Sequence, residues 1–274
     1  MAVPKSLMLA WMVIGVANLL LSIMAFATGF SAGISEALSG EDMAVLPPPE
    51  VTLASSVLGL LWGLMLIYFI GVMRTDIKTI AQRLAEAARG KSEELLSSGE
   101  TTRAMAAGEM RRLTEDLGNS VRISSPWVLP IVLGVLMVSV TGASAYITSL
   151  TQEIVLDPLA ALESIFLLVA LSLVLSVAAL AYLVVLLYSL HTINRLLGHV
   201  DRVSGSIADV LSRLKPPDTR TQGRRLGSRR TLLYIILTLI TLGFFLIYWV
   251  WALNSDLGEC ETRVEDLLSQ LKLT

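Results

Sequence analysis

Five stretches of this 274-residue chain are too long and too free of charge to belong to a water-soluble core. They run Leu7–Phe30, Leu53–Met73, Trp127–Leu150, Ile165–Leu190 and Leu232–Leu253, and none contains Asp, Glu, Lys, Arg or His. A helix that crosses a bilayer needs about 20 mostly apolar residues, and each run meets that length. The composition agrees: 54% of residues are hydrophobic and only 16% charged, against about 25% charged in a soluble domain. The expected fold class is therefore all-α, a polytopic membrane protein with five transmembrane helices.

The starts of the runs carry helix signals. Ser125-Pro126 and Asp157-Pro158 each pair an N-cap residue with proline at the first helical position. Pro4 and Pro49 suit the first turns of helices one and two. Ala25-Phe26-Ala27 fits a signal-peptide cleavage pattern, but the run exceeds the about 7–15 residues of a signal core, so a retained helix is expected.

Charge sorting sets an orientation. The 74–126 and 191–230 segments together hold 18 of the 21 basic residues, and Lys5 falls on the same side. The loops after helices one and three hold Glu36, Glu41, Asp42, Glu50, Glu153, Asp157 and Glu163, with no Lys or Arg. Positive loops stay inside, which predicts a cytoplasmic N-terminus, two cytoplasmic segments and an extracellular C-terminal tail. Arg263 and Lys272 in that tail break the pattern. Trp127 at one face, and Trp249 and Trp251 at the other, suit interfacial belts.

The expected division is then helices one and two with an acidic extracellular loop (1–73), a cytoplasmic helical hairpin (74–126), helices three and four (127–190), a coiled-coil extension with a basic linker (191–230), and helix five with an amphipathic tail (231–274). In the hairpin, Ile77, Ile80, Leu84 and Ala87 form one stripe and Ala106, Met110, Leu113 and Leu117 the returning one, joined by a turn at Ser97-Ser98-Gly99.

The next segment is more regular. Ile193, Leu196, Val200, Val203, Ile207, Val210 and Leu214 are spaced 3, 4, 3, 4, 3, 4, the mark of a heptad seam. No breaker separates it from helix four before Pro216-Pro217. A single helix from Pro158 to Leu214 would be about 85 Å long at 1.5 Å per residue. The tail repeats the pattern with Leu253, Leu257, Cys260, Val264, Leu267 and Leu271. Each seam can pack within one subunit or join subunits; Cys260 in a parallel pair of tails would face its copy, which allows an intersubunit disulfide. The plan of helix, basic segment, helix occurs twice in parallel, and topology explains that likeness without duplication.

Chemistry is sparse. No ionisable residue lies in a run, which argues against a proton-coupled transporter. Asn18 is the most polar side chain in one, and packing or an interhelical hydrogen bond is its expected role. Ser55, Gly59 and Gly63 form a small-xxx-small stripe for close helix packing, and Gly134 and the Gly142–Ala145 run thin helix three similarly. Arg220, Arg224, Arg225, Arg229 and Arg230 crowd the approach to helix five, where they can meet anionic lipid head groups or simply hold topology. His191 and His199 lack partners at metal-ligand spacing. No nucleotide-binding or hydrolase motif is present, no cofactor or metal is expected, and interleaved aromatics that would suit nucleic acid are missing.

The stretch Ser228 to Leu257 reads SRRTLLYIILTLITLGFFLIYWVWALNSDL. Its basic start, Thr241-Leu242-Gly243, Tyr248-Trp249 and Asp256-Leu257 resemble a prokaryotic membrane domain family of unknown function, in which an Ile-Thr-x-Gly turn of helix precedes a Tyr-Trp pair. The resemblance covers about 30 residues and implies a prokaryotic membrane, with no activity attached. Arg outnumbers Lys 16 to 5, a lean toward a thermophilic source that the usual Lys enrichment does not share.

These features imply a non-enzymatic membrane protein that works by homo-oligomeric assembly or by binding a protein partner, as a scaffold or signal relay, in a bilayer containing anionic lipids. The alternative is a channel or transporter subunit with a Ser/Thr-lined path; an enzyme accessory subunit is a third.

Overall fold

A computed structural model describes residues 3–39, 49–121, 125–156, 161–214, 231–241 and 244–273, with side chains left undescribed at 25–26, 28–39, 49–53, 148–156, 161–165 and 273. Among the described residues the chain is helical: α1 (Lys5–Ser39), α2 (Pro49–Ser97), α3 (Thr101–Val121), α4 (Val128–Leu156), α5 (Ala161–Leu214), α6 (Thr231–Ile240) and α7 (Phe244–Leu273). Four of them, α1, α2, α4 and α5, are long and apolar enough to cross a membrane.

The helix ends follow local chemistry. Proline opens α2 at Pro49, where a missing N–H costs nothing. The Met8 amide donates to the Pro4 carbonyl at 3.0 Å as α1 begins. The turn between α2 and α3 falls at Ser98-Gly99, and Gly99 takes a φ of 70°. Side chains other than glycine resist that left-handed conformation. No residue interrupts α2 over 49 positions or α5 over 54, so α5 is about 80 Å long at 1.5 Å per residue.

The fifth apolar run is not one helix. α6 ends at Ile240 after ten residues and α7 starts at Phe244. Thr241 bonds to both helices. Its hydroxyl donates to the Leu237 carbonyl at 2.8 Å and accepts from the Phe245 amide at 2.9 Å, while the Phe244 amide donates to the Thr241 carbonyl at 3.1 Å. One side chain thus bonds to the last turn of α6 and to the first turn of α7. The two helices then fold against each other. The Tyr234 ring meets Phe245 at 5.1 Å and Trp249 at 5.7 Å, both edge-on, an arrangement aromatic pairs favour.

The chain divides into two compact units. One contains Pro4–Phe69 and Leu129–Leu187. Its packing centres on Trp11, fully buried, whose ring stacks on Trp62 at 5.5 Å and whose Nε1 donates to the Trp62 carbonyl at 3.1 Å. Phe69 meets Trp11 edge-on. Met8, Leu66 and Leu133 are buried too, but no residue in the most apolar window of α5 is buried. The other unit contains Met1–Val3, Ile70–Val128 and Tyr188–Thr274. Its core is that of a helical bundle, with Met73, Ile77, Leu84, Met110, Leu117, Ile193, Ile207, Val250 and Leu257 at 0–1% exposure. Every Lys and Arg except Lys5 falls within the residue ranges of this unit, Arg263 and Lys272 included.

Candidate functional site

On α5, Ile193, Val200, Val203, Ile207 and Val210 are buried within the single chain, while Leu196 and Leu214 are half-buried. Leu197 and Leu211 are buried beside them, so the covered face is broader than a two-residue seam. On α7, Leu253, Leu257, Cys260, Val264, Leu267 and Leu271 are all buried. In the hairpin, Ile77, Ile80, Leu84, Met110 and Leu117 are buried; Ala88 and Ala107 take the places expected for Ala87 and Ala106, and Thr114 is buried where Leu113 is half-exposed. The stripes are covered by the bundle's own helices.

Polar contacts knit these helices. Arg263 on α7 donates to Asp201 on α5 at 3.0 Å and to Glu259 at 3.3 Å. His199 Nε2 stands 3.6 Å from Asp116, and Arg213 reaches Glu109 at 3.4 Å. The partners descend on α3 as they ascend on α5, so the two helices run antiparallel. Asn194 on α5 donates to the Thr231 hydroxyl at 2.7 Å. The Asn254 amide clasps Val3, accepting from its N–H at 3.0 Å and donating to its carbonyl at 3.3 Å. His191 is exposed and His199 half-buried. Among the described residues no cluster of His, Cys, Asp and Glu is arranged to hold a metal ion.

The Arg263–Asp201 contact bears on the expected topology. Tail and α5 extension share one unit at bonding distance, and a bilayer about 30 Å thick cannot lie between them. The expectation that places them on opposite faces, with a tail outside, does not fit this contact. Of the tryptophans expected at that face, Trp249 is fully buried against Tyr234, while Trp251 is exposed. Cys260 is buried beside Asp201, not presented toward another copy. Burial, joined by the nearby Asp201 charge, pushes its thiol up to about 12.

Close approach governs the small residues. Gly59 packs on the Asn18 amide, and Ser55 reaches the Ser22 hydroxyl at 3.4 Å. Gly63 is covered by the Met137 thioether. Gly15, against the Trp62 ring, and Gly71, against the Trp127 ring, extend the theme beyond the stripe read from sequence. Gly134 and Gly142 border open space. Arg220, Arg224, Arg225, Arg229 and Arg230 lie outside the described residues.

Two charged groups at the start of the bundle escaped the sequence reading. Arg74 is 5% exposed, and burial lowers its pKa; burial raises that of Asp76. Their position just after the second apolar run was the signal that could have found them. Comparisons of the chain with protein-family models, with curated proteins and with solved structures found no match.

Proposed function

We propose that this chain is a non-enzymatic integral membrane protein of a prokaryotic plasma membrane, acting as a scaffold or relay. In this reading α1, α2, α4 and α5 cross the bilayer. The α2–α3 hairpin and the end of α5 lie in the cytoplasm, with the N-terminal residues and the α7 tail on the same side. One observation carries the proposal: α2 and α5 continue without a break from the apolar unit's residues into those of the bundle. An unbroken helix transmits displacement or rotation along its axis, whereas a loop would absorb it. The charge pattern supports the orientation, because Arg263 and Lys272 cease to be exceptions.

Partner binding is assigned to surfaces other than the seams, since the seams are occupied. Homo-oligomers would form through the apolar unit, where α5 is bare and Gly142 and Ala145 of α4 are exposed, small residues of the kind that let helices approach. A second reading, a transport subunit, draws on Ser139 and Ser176, hydroxyls exposed on otherwise apolar helices. Mass measurement after purification in mild detergent tests the first reading: several copies, or a co-purifying protein, support it. Ion flux in liposomes would favour the second. A lone monomer without flux sinks both.

A further inference from the structure

We infer that α6 and the first ten residues of α7 form a re-entrant hairpin immersed in the acyl chains of the cytoplasmic leaflet. The inference rests on reading the basic unit as cytoplasmic. Four observations favour lipid as the occupant of its outer face.

The first is exposure. Leu232, Ile236, Leu239 and Ile240 on α6 are 44–73% exposed, and Phe244, Tyr248 and Trp251 form an exposed stripe at i, i+4, i+7 on α7. Contiguous apolar surface of this kind marks a membrane or protein contact. The opposite face of α7 is sealed, with Trp249, Val250 and Leu253 buried. α7 is thus the inner arm and α6 the outer one.

The second is length. α6 has ten residues, and α7 runs ten more before its first polar side chain at Asn254. Each arm is about 15 Å long at 1.5 Å per residue, half of the hydrocarbon thickness. Two equal arms reach mid-bilayer and return; neither spans.

The third is where the arms are tied. Thr231, at the start of α6, bonds to Asn194, four residues beyond the end of the fourth apolar run. Asn254, at the end of the apolar part of α7, bonds to Val3, four residues before the first run begins. Both ends of the hairpin are therefore tied to residues that adjoin, in sequence, the cytoplasmic ends of the first and fourth runs.

The fourth is charge and backbone chemistry. No charged residue occurs between Thr231 and Ser255, while seven basic residues crowd 213–230 immediately before. Anionic head groups attract such a cluster, and acyl chains accept an uncharged stretch beside it. In hydrocarbon a turn must satisfy its own polar groups. Thr241 does this for the opening amides of α7, those of Phe244 and Phe245.

Spin labels on the full-length protein test this, in liposomes containing anionic lipid and in a Cys260→Ala background. Labels at Ile236→Cys and Leu239→Cys are expected to collide with oxygen and lose contact with a water-soluble nickel chelate. A label at Ser269→Cys is expected to do the reverse. An impermeant maleimide should modify Ser269→Cys in inverted membrane vesicles and not in right-side-out ones. If both hairpin labels meet nickel while Ser269→Cys stays inside, the hairpin is in water and the inference falls alone. Labels that meet neither collider reveal a protein cover, and the inference again falls alone. If Ser269→Cys reacts from outside, the segment spans, and the inference and the proposed topology fall together. Agreement between two hairpin positions guards against one misfolded variant.

Discussion

Arg263 on α7 holds Asp201 on α5 at 3.0 Å, across 62 positions of sequence, with the Asp201 side chain only 8% exposed. The carboxylate is desolvated and the guanidinium partly so. Truncating Arg263 to Met keeps its apolar stem but removes the donor, and is expected to destabilise the bundle by about 1–3 kcal/mol, the cost of stripping a donor from a buried carboxylate. Asp201→Asn should cost less, since the amide can still accept. Thermal unfolding of both variants and the double variant checks this. Additive losses would mean that the pair does not interact.

Ile207 is fully buried within one chain. Ile207→Ala should cost about 2–5 kcal/mol through lost packing and a residual cavity. Because the cover is intramolecular, the melting temperature of wild type and variant should not move with protein concentration in detergent. A strong concentration dependence centred on this residue would mean that the seam joins copies instead.

Gly198 sits in the interior of α5, and a Cβ added there meets nothing within 4 Å. Gly198→Ala should therefore stabilise the protein by about 0.5–1 kcal/mol, the helix-propensity gain alone. At Gly71 the sign reverses. An added Cβ collides with the Trp127 ring, which has no flexible end to swing away, so Gly71→Ala should lower the melting temperature. Gly63→Ala, facing the Met137 thioether, should be milder because methionine adapts. Ranking the three variants by melting temperature is the check.

Cys260 makes a pH prediction. Its folded pKa, about 12, lies above the ordinary 9.0. An unfolded thiol loses its proton first as pH rises, so the folded state is undisturbed below about 9 and loses stability between 9.0 and about 12. Cys260→Ala should flatten that decline. The thiol should also resist a small maleimide until the protein is denatured, and no Cys260-dependent dimer should appear on non-reducing electrophoresis.

Much of this could be read from the chain, and the misreadings have a common cause. Uncharged runs and the Gly99 turn are local signals, so four long apolar helices and the hairpin follow from residues alone. Heptad spacing says that a stripe is covered; it does not say by whom, and Val200 and Val264 are covered within the molecule. Hydropathy sums over Leu232–Leu253 without noticing that the chain ends one helix at Ile240 and starts another at Phe244. Two clues lay in the chain: Thr and Gly two residues apart in mid-run, and a pair of basic residues, Arg263 and Lys272, that the expected topology could not place.

The clasp between Asn254 and Val3 also fixes an order of events in time. The residues that close the bundle are separated by 251 positions. A chain emerging from the ribosome N-terminus first must deliver the four long apolar helices before α7 exists to dock. Until then Asn254 and Arg263 are not yet there to meet Val3 and Asp201. Docking of α7 on Val3 is thus a late event, later than the synthesis of all four long apolar helices.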